Sequence, residues 1–268
     1  MSMIETATTR FEIKDRCAWI TLNRPESLNA LNIELRWQLS QHLDEVEAND
    51  DIWLTVITGA GESAFCAGAD LKERAMQRDA DDTQKANWRK LQDETRHIIE
   101  RWYHPKPIIA MVNGFALGGG LEVAMACDII IAAEHAELGL PEPRRGLIAA
   151  SAGVHRLPRQ IGLKPAMGYM LTGRHMTAAR AYELGLVNEV VPMNELMQTT
   201  EGYVRDILRC APLSVRATKE AAMKGLERDL PSAFYTPYET ETRRLRSEDA
   251  LEGPRAFAEK REPVWQGK

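Results

Sequence analysis

Between Phe115 and Pro143 the chain reads FALGGGLEVAMACDIIIAAEHAELGLPEP: three successive glycines precede Glu122, and a second glutamate, Glu142, follows twenty residues later. Gly118, Gly119 and Gly120 permit a tight backbone turn and let bare amide N–H groups approach a ligand, because no Cβ stands in the way. Leu121 to Ala126 reads as the first turns of a helix. A polarised oxygen held at that helix start would meet unpaired amides and the positive end of the helix dipole, with Glu122 in the same first turn. The segment therefore constrains the chain to a strand, turn and helix unit that presents a polarising site beside a carboxylate. A triple glycine alone is equally compatible with an ordinary turn followed by an N-terminal glutamate.

A second segment repeats the design. Ile52 to Thr58 is an apolar, β-branched run of strand type that leads through Gly-Ala-Gly into Phe65-Cys66-Ala67-Gly68-Ala69-Asp70-Leu71-Lys72, another small-residue strand-to-helix turn. Two amides from separate turns that converge on one carbonyl oxygen make an oxyanion hole, commonly the largest electrostatic contribution in acyl chemistry. CAGADLK and ALGGGLE, with PESLNAL ahead of them and GLPEPRRGL behind, resemble the signature blocks of the crotonase superfamily, the enoyl-CoA hydratases and isomerases. The resemblance runs from about Thr21 to the C-terminus. It implies an α/β fold, a spiral of repeated β-β-α turns with a C-terminal helical region.

Composition agrees with a soluble enzyme. The 268 residues are 44% hydrophobic and 27% charged, enough for one large core plus an appendage. A net charge of −5 gives no reason to expect nucleic acid as a partner. The longest apolar runs are strand-sized and Met1 to Arg10 has no apolar leader, so neither membrane association nor export is expected, and the expected compartment is the cytoplasm. The 4 cysteines, Cys17, Cys66, Cys127 and Cys210, lack metal or disulfide spacing, and the 6 histidines, His97 and His104 among them, are dispersed, so no metal is expected.

Along the chain, Phe11 to Lys14 and Cys17 to Leu22 flank Asp15-Arg16, a hairpin signal. Asn32 to Glu47 has helical spacing at Leu35, Leu39, Leu43 and Val46. Strands are expected at Trp53 to Thr58, Ile108 to Val112 and Asp128 to Ala132, with a helix between Thr83 and Trp102. After Pro192 the pattern changes to consecutive helices, Asn194 to Cys210, Pro212 to Glu227 and Thr236 to Arg246. The expected organisation is a core over residues 1–192 that holds the active site and a helical region over 193–268. Helices without an apolar layer of their own must dock on something. The resemblance implies subunit contacts there, in a homotrimer or a dimer of trimers.

Glu142 stands in Leu140-Pro141-Glu142-Pro143, where two prolines restrict the backbone and aim the carboxylate. By resemblance, Glu122 activates water for attack at Cβ and Glu142 exchanges the proton at Cα, while the amides of Ala69 and Gly119 form the oxyanion hole. The substrate implied is an acyl-CoA thioester, with coenzyme A as part of the substrate and no separate cofactor. The family's nucleotide cradle maps onto Glu26, Ser27, Leu28, Ala30, Ala67, Asp70 and Leu71, with Phe257 and Lys260 approaching from the C-terminal end. Retention of both glutamates points to hydration or dehydration. A double-bond isomerase and a non-catalytic acyl-CoA-binding relative stay as alternatives.

The chain departs from the family pattern after Gly146, where Ala149 stands for a proline and Ala152 for the first glycine of a pair, so the loop at the acyl end is expected to differ. The tail from Ser247 to Trp265 is similar to that of carnitinyl-CoA dehydratases. A cationic acyl group would be recognised by aromatic faces or a carboxylate; Trp88, Trp102 and Tyr103 are the candidate cage, while Arg144 and Arg145, with His155 nearby, would repel a cation if they face inward. On balance a neutral or anionic, branched or aromatic-sized acyl group is expected.

Overall fold

Strand pairs that each lead into a helix set the architecture of the computed structural model, which describes residues 2–5 and 8–268. The strands β1 (Ser2–Glu5), β2 (Thr9–Lys14) and β3 (Cys17–Leu22) form an antiparallel meander. Asp15 and Arg16, at φ of 47° and 62°, close the tight turn between β2 and β3 where the hairpin signal lies. Helix α1 (Ile33–Ala48) is capped by Asn32, whose side chain accepts from the Leu35 amide at 2.9 Å. It buries Leu35, Leu39, Leu43 and Val46, the face marked by their spacing.

Three units of one kind follow. The first is β4 (Leu54–Gly59) and β5 (Ala64–Cys66), then α2 (Leu71–Asp79) and α3 (Asp82–Asp93). The second is β6 (Ile108–Val112), β7 (Phe115–Leu117) and α4 (Gly119–Ala126); the third is β8 (Ile129–Ala133), β9 (Glu137–Gly139), α5 (Gly153–Ile161) and α6 (Leu163–Thr172). After them come β10 (His175–Thr177), α7 (Ala178–Glu183) and β11 (Glu189–Val191). In each unit the first strand enters a seven-stranded sheet of order β1-β2-β3-β4-β6-β8-β11, and the second enters a four-stranded sheet of order β10-β9-β7-β5. From β3 onward the large sheet is parallel, as are β5, β7 and β9. These are the stacked β-β-α turns that the resemblance implies.

The continuous apolar runs have a physical reason: both faces of the large sheet are covered. Ile108, Ala110 and Val112 face one core together with Ile57 and Leu121, while Ile109 and Met111 face a second with Trp53 and Ile131. Helix α8 (Met193–Leu208) closes that second core with Leu196 and Val204, so the region from residue 193 begins by completing the sheet. Beyond it lie α9 (Pro212–Gly225), α10 (Leu230–Tyr235), α11 (Glu239–Leu245) and α12 (Glu248–Glu259). They leave Leu226, Leu230, Phe234, Tyr235, Leu251 and Phe257 exposed. Among the described residues no helix is long and apolar enough to cross a membrane.

The helix expected from Thr83 to Trp102 is shorter. Helix α3 buries none of its residues and stops at Asp93. Thr95 turns its hydroxyl back onto the Leu91 carbonyl at 2.6 Å, the Arg96 amide donates to the Ser40 hydroxyl at 2.9 Å, and a 3-10 turn at Ile98–Glu100 brings Ile98 into the core. Burial of Ile98 outweighs continuation of a helix that has no apolar face to bury.

Candidate active site

The first turn of α4 is built by close packing. A Cβ at Gly120 would lie 2.0 Å from the Cys66 carbonyl oxygen, so only glycine lets α4 sit against the end of β5. Gly118, at φ 52° and ψ −124°, directs the chain out of β7 into the helix. Gly119 is then the first helical residue, and its amide belongs to the set that no helical carbonyl can satisfy.

Ala69 presents the facing amide for a different reason. The peptides on either side of it pair with the segment at Leu31: the Leu31 amide donates to the Gly68 carbonyl at 2.7 Å, and the Asp70 amide donates to the Leu31 carbonyl at 3.2 Å. With its neighbours fixed that way, the Ala69 N–H points to the other side. A Cβ built on Gly119 would lie 3.6 Å from the Ala69 nitrogen, and one on Gly68 would lie 3.1 Å from the Gly119 nitrogen, so the two amides stand side by side. Neither meets an acceptor among the described residues.

These amides line a cavity of about 1050 Å³ together with both glutamates. Glu122 is 4% exposed, and its Oε1 accepts from the Gly153 amide at 2.9 Å. Burial raises its pKa above the usual carboxylate range; the Glu142 charge acts the same way, while the Gly153 and Ser151 amides and Arg156 oppose it. Glu142 opens a 3-10 turn at Glu142–Arg145, and its Oε1 lies 3.0 Å from where a Gly118 Cβ would be. Its Oε2 is buried with no partner. Burial raises the Glu142 pKa too, with its own backbone amide and Arg145 acting against the rise. The two carboxylates thus differ: one is clamped by an amide, the other has an oxygen free to accept or give a proton. Cys66 lies beneath the turn and is no nucleophile, since burial pushes its thiol up to about 12. Among the described residues no group of three or more histidine, cysteine or acidic side chains is placed to hold a metal.

Of the residues assigned to a nucleotide cradle, Leu28, Ala67 and Leu71 line this cavity, whereas Glu26, Ser27, Ala30 and Asp70 do not. The Asp70 carboxylate caps α2 through the Lys72 and Glu73 amides and pairs with Arg24 at 3.0 Å, which leaves it little capacity for a ligand. Phe257 is 87% exposed on α12 and, with Lys260, takes no part in the cavity of its own chain. Trp88, Trp102 and Tyr103 do not line it either, and none of its lining residues is a tryptophan, tyrosine or phenylalanine. Trp102 instead stacks under the Arg156 guanidinium at 4.7 Å, and Tyr103 lies under Lys224 at 5.2 Å. The chain leaves α3 nine residues before Trp102, so helical spacing no longer carries that ring toward the site. Arg144 donates to the Thr172 carbonyl at 2.9 Å, and neither it nor His155 lines the cavity; Arg145 does.

Sequence reasoning missed the amide of Gly153, which holds Glu122, and Arg36, which lines the cavity from α1. A backbone donor leaves no mark in a sequence, and Arg36 reads as an ordinary cation of an amphipathic helix. The departures after Gly146 are both buried: Ala149 packs against Gly153, and Ala152 takes φ 70°, a left-handed conformation that its family counterpart, glycine, adopts freely.

Residues 12–268 match the family model described as enoyl-CoA hydratase/isomerase. The chain is 37% identical over 256 residues to the (E)-benzylidenesuccinyl-CoA hydratase of Thauera aromatica, covering 96% of this chain and 98% of that one. It is also 37% identical over 256 residues to a carnitinyl-CoA dehydratase of Salmonella enteritidis, covering 93% and 94%. The crystal structure of an enoyl-CoA hydratase from Mycobacterium tuberculosis superposes with a TM-score of 0.88 at 35% identity, over 98% of this chain and all of that chain. The chain is therefore an enzyme of the enoyl-CoA hydratase/isomerase family, built on the crotonase fold.

Proposed function

We propose that this enzyme adds water reversibly across the 2,3 double bond of an enoyl-CoA thioester, with Glu122 and Glu142 as its acid-base pair. The thioester oxygen lies between the Ala69 and Gly119 amides, which take up the negative charge that develops there as the enolate forms. Water is held between the carboxylates. Its oxygen bonds to Cβ while Glu122 accepts its proton, and Glu142 delivers a proton to Cα; dehydration runs the same steps backwards. One carboxyl must be ionised and the other protonated, which suits a buried and a half-buried group whose pKa values both lie above the usual range. The observation that supports this reading best is the convergence of two acceptor-free amides with two carboxylates in one cavity. An isomerase needs only one of the carboxylates, and a binding protein needs neither.

The acyl group is not set by family membership, since relatives at the same identity act on benzylidenesuccinyl-CoA and on carnitinyl-CoA. Without a tryptophan, tyrosine or phenylalanine in the wall, a quaternary ammonium has no cage of the usual kind, so a neutral or anionic acyl group fits better. The exposed apolar residues of α10 and α12 support a homotrimer or a dimer of trimers. In such an assembly Phe257 and Lys260 would contact the nucleotide bound by a neighbouring subunit. The deciding experiment incubates the purified protein with a panel of 2-enoyl-CoA thioesters and follows loss of the conjugated enoyl absorbance together with the 3-hydroxyacyl-CoA product. Product with a shifted double bond and no hydroxyl would replace hydration by isomerisation.

A further inference from the structure

We infer that Arg36 forms a carboxylate-binding subsite at the acyl end of the cavity, so that the preferred substrate class is an enoyl-CoA monothioester of an unsaturated dicarboxylic acid. The inference rests on the hydratase reading above and names the acyl group that reading leaves open.

The position comes from the groups that share the cavity wall with Arg36. Leu28, Ala67, Leu71 and Glu122 line the same cavity as the amides of Ala69 and Gly119. The carboxylates that act on the Arg36 charge are Glu73, Asp70 and Glu122, and that charge acts in turn on His97. Arg36 enters from α1 beside Leu39, and Ile98, Ile99 and Val123 add apolar wall. A ligand that passes its carbonyl through the amide pair would carry its hydrocarbon along this apolar wall and end near the guanidinium.

The second argument is that Arg36 has no partner. Most other arginines that are not fully exposed are engaged: Arg24 with Asp70 at 3.0 Å, Arg101 with Asp44 and Glu47 at 2.8 and 2.7 Å, Arg244 with Glu241 at 2.7 Å, and Arg156 with the Ile99 carbonyl at 3.0 Å, while Arg216, outside the cavity, has only Asp50 at 3.9 Å. The Arg36 guanidinium makes no hydrogen bond or close ion pair among the described residues, although it is half-buried and lines the cavity. Burial is the main influence that disfavours its charge, opposed by the more distant Glu73, Asp70 and Glu122. An arginine loses hydration in such a place and regains it best from a planar anion that accepts two parallel N–H bonds, which is the geometry of a carboxylate. Of the other charged groups that line the cavity, Arg74 and Arg145 are cationic and Glu100, Glu122 and Glu142 acidic, the last two with pKa values raised by burial.

The test compares three 2-enoyl-CoA substrates of equal chain length whose far ends are a carboxylate, a primary amide and a methyl group, with wild type, Arg36→Gln and Arg36→Lys. For wild type, kcat/KM should favour the carboxylate over the amide by about 10- to 100-fold, the range of a hydrogen-bonded ion pair. Arg36→Gln should erase that preference, mainly through KM for the carboxylate, and Arg36→Lys should keep part of it. Equal rates on the three substrates with wild type, or a preference that survives in Arg36→Gln, would overturn the inference. So would an equal loss on every substrate, since Arg36 would then serve a phosphate of coenzyme A or Glu122. Turnover of the uncharged substrates alone leaves hydration standing and removes the subsite. Turnover of none removes both. The wild-type ratios are informative even where a variant fails to fold.

Discussion

The two ends of the cavity are made of different material. At one end the wall is backbone: the paired amides of Ala69 and Gly119, fixed by the pairing of Gly68 and Asp70 with Leu31 and by the packing of Gly120 on Cys66. Elsewhere the wall is side chain, with Arg36 and Leu39 of α1, Ile98 and Ile99 of the 3-10 turn, and Val123 of α4 among its residues. The first kind of wall does not change when side chains are exchanged, provided the glycines remain. The second kind can be rewritten residue by residue without disturbing the first. That division explains how one reaction centre serves thioesters as unlike as those named for its relatives.

The comparison is sharpest at the carboxylates, where Glu122→Gln and Glu142→Gln should each reduce kcat by about 10² to 10⁴ while thioester binding stays near wild type. The double variant should lose little more than the worse single one, because the pair acts as a unit. Binding measured by calorimetry and kcat measured by enoyl absorbance check this; wild-type turnover in either single variant would break the assignment. The same variants change stability with pH in a defined sense. A carboxyl whose folded pKa is raised makes the folded state bind more protons, so wild-type stability falls as pH rises from the ordinary carboxylate range through the raised folded values, and stays lower above them. Each glutamine variant should flatten that fall. Parallel pH profiles of the denaturation midpoint for wild type and both variants would contradict the buried, proton-sharing pair.

The backbone end can be broken by a change that leaves side chains alone. Gly119 is the first residue of α4, a place where proline is well accommodated, and a Cβ there presses only on the Leu31 methyl at 3.2 Å. Gly119→Pro deletes the N–H and should cost about 3 kcal/mol of transition-state stabilisation, or about 10² in kcat, as for the loss of one oxyanion donor. Gly119→Ala is the control, with the Cβ added and the amide kept. If both variants lose the same activity, sterics and not the donor would be responsible.

The smallest effect concerns the loop between the two ends. Ala152 occupies a left-handed conformation that costs an L-residue about 1–2 kcal/mol, whereas glycine adds about 0.4–1 kcal/mol of chain entropy to the unfolded state. Ala152→Gly should therefore stabilise the protein by about 0.5 kcal/mol, read as a higher midpoint in denaturant. A lower midpoint would mean that the buried methyl contributes more through packing than its backbone costs.

Much of this molecule is legible because its motifs are local. The hairpin at Asp15-Arg16, the apolar face of α1, the buried strands β4, β6 and β8, and the start of a helix after three glycines all follow from neighbours in the chain. The cage of Trp88, Trp102 and Tyr103 fails because it assumed that one helix ran to Trp102. Only the core that Ile98 enters ends that helix early, and no short-range signal announces it. Of the residues assigned to the cradle, Leu28, Ala67 and Leu71 line the cavity from the motif turns, while Asp70 pairs with Arg24, a partner 46 residues away.

By itself the sequence marked the candidate reaction centre, since glycines that admit a close backbone approach and two glutamates that follow them are properties of single short segments. The tertiary structure decided what surrounds that centre. It chose which amides lack acceptors, which carboxylate oxygen is buried without a partner, and which arginine lines the cavity unpaired. Those properties belong to pairs of atoms far apart in the chain, and only packing brings them together and takes them out of water.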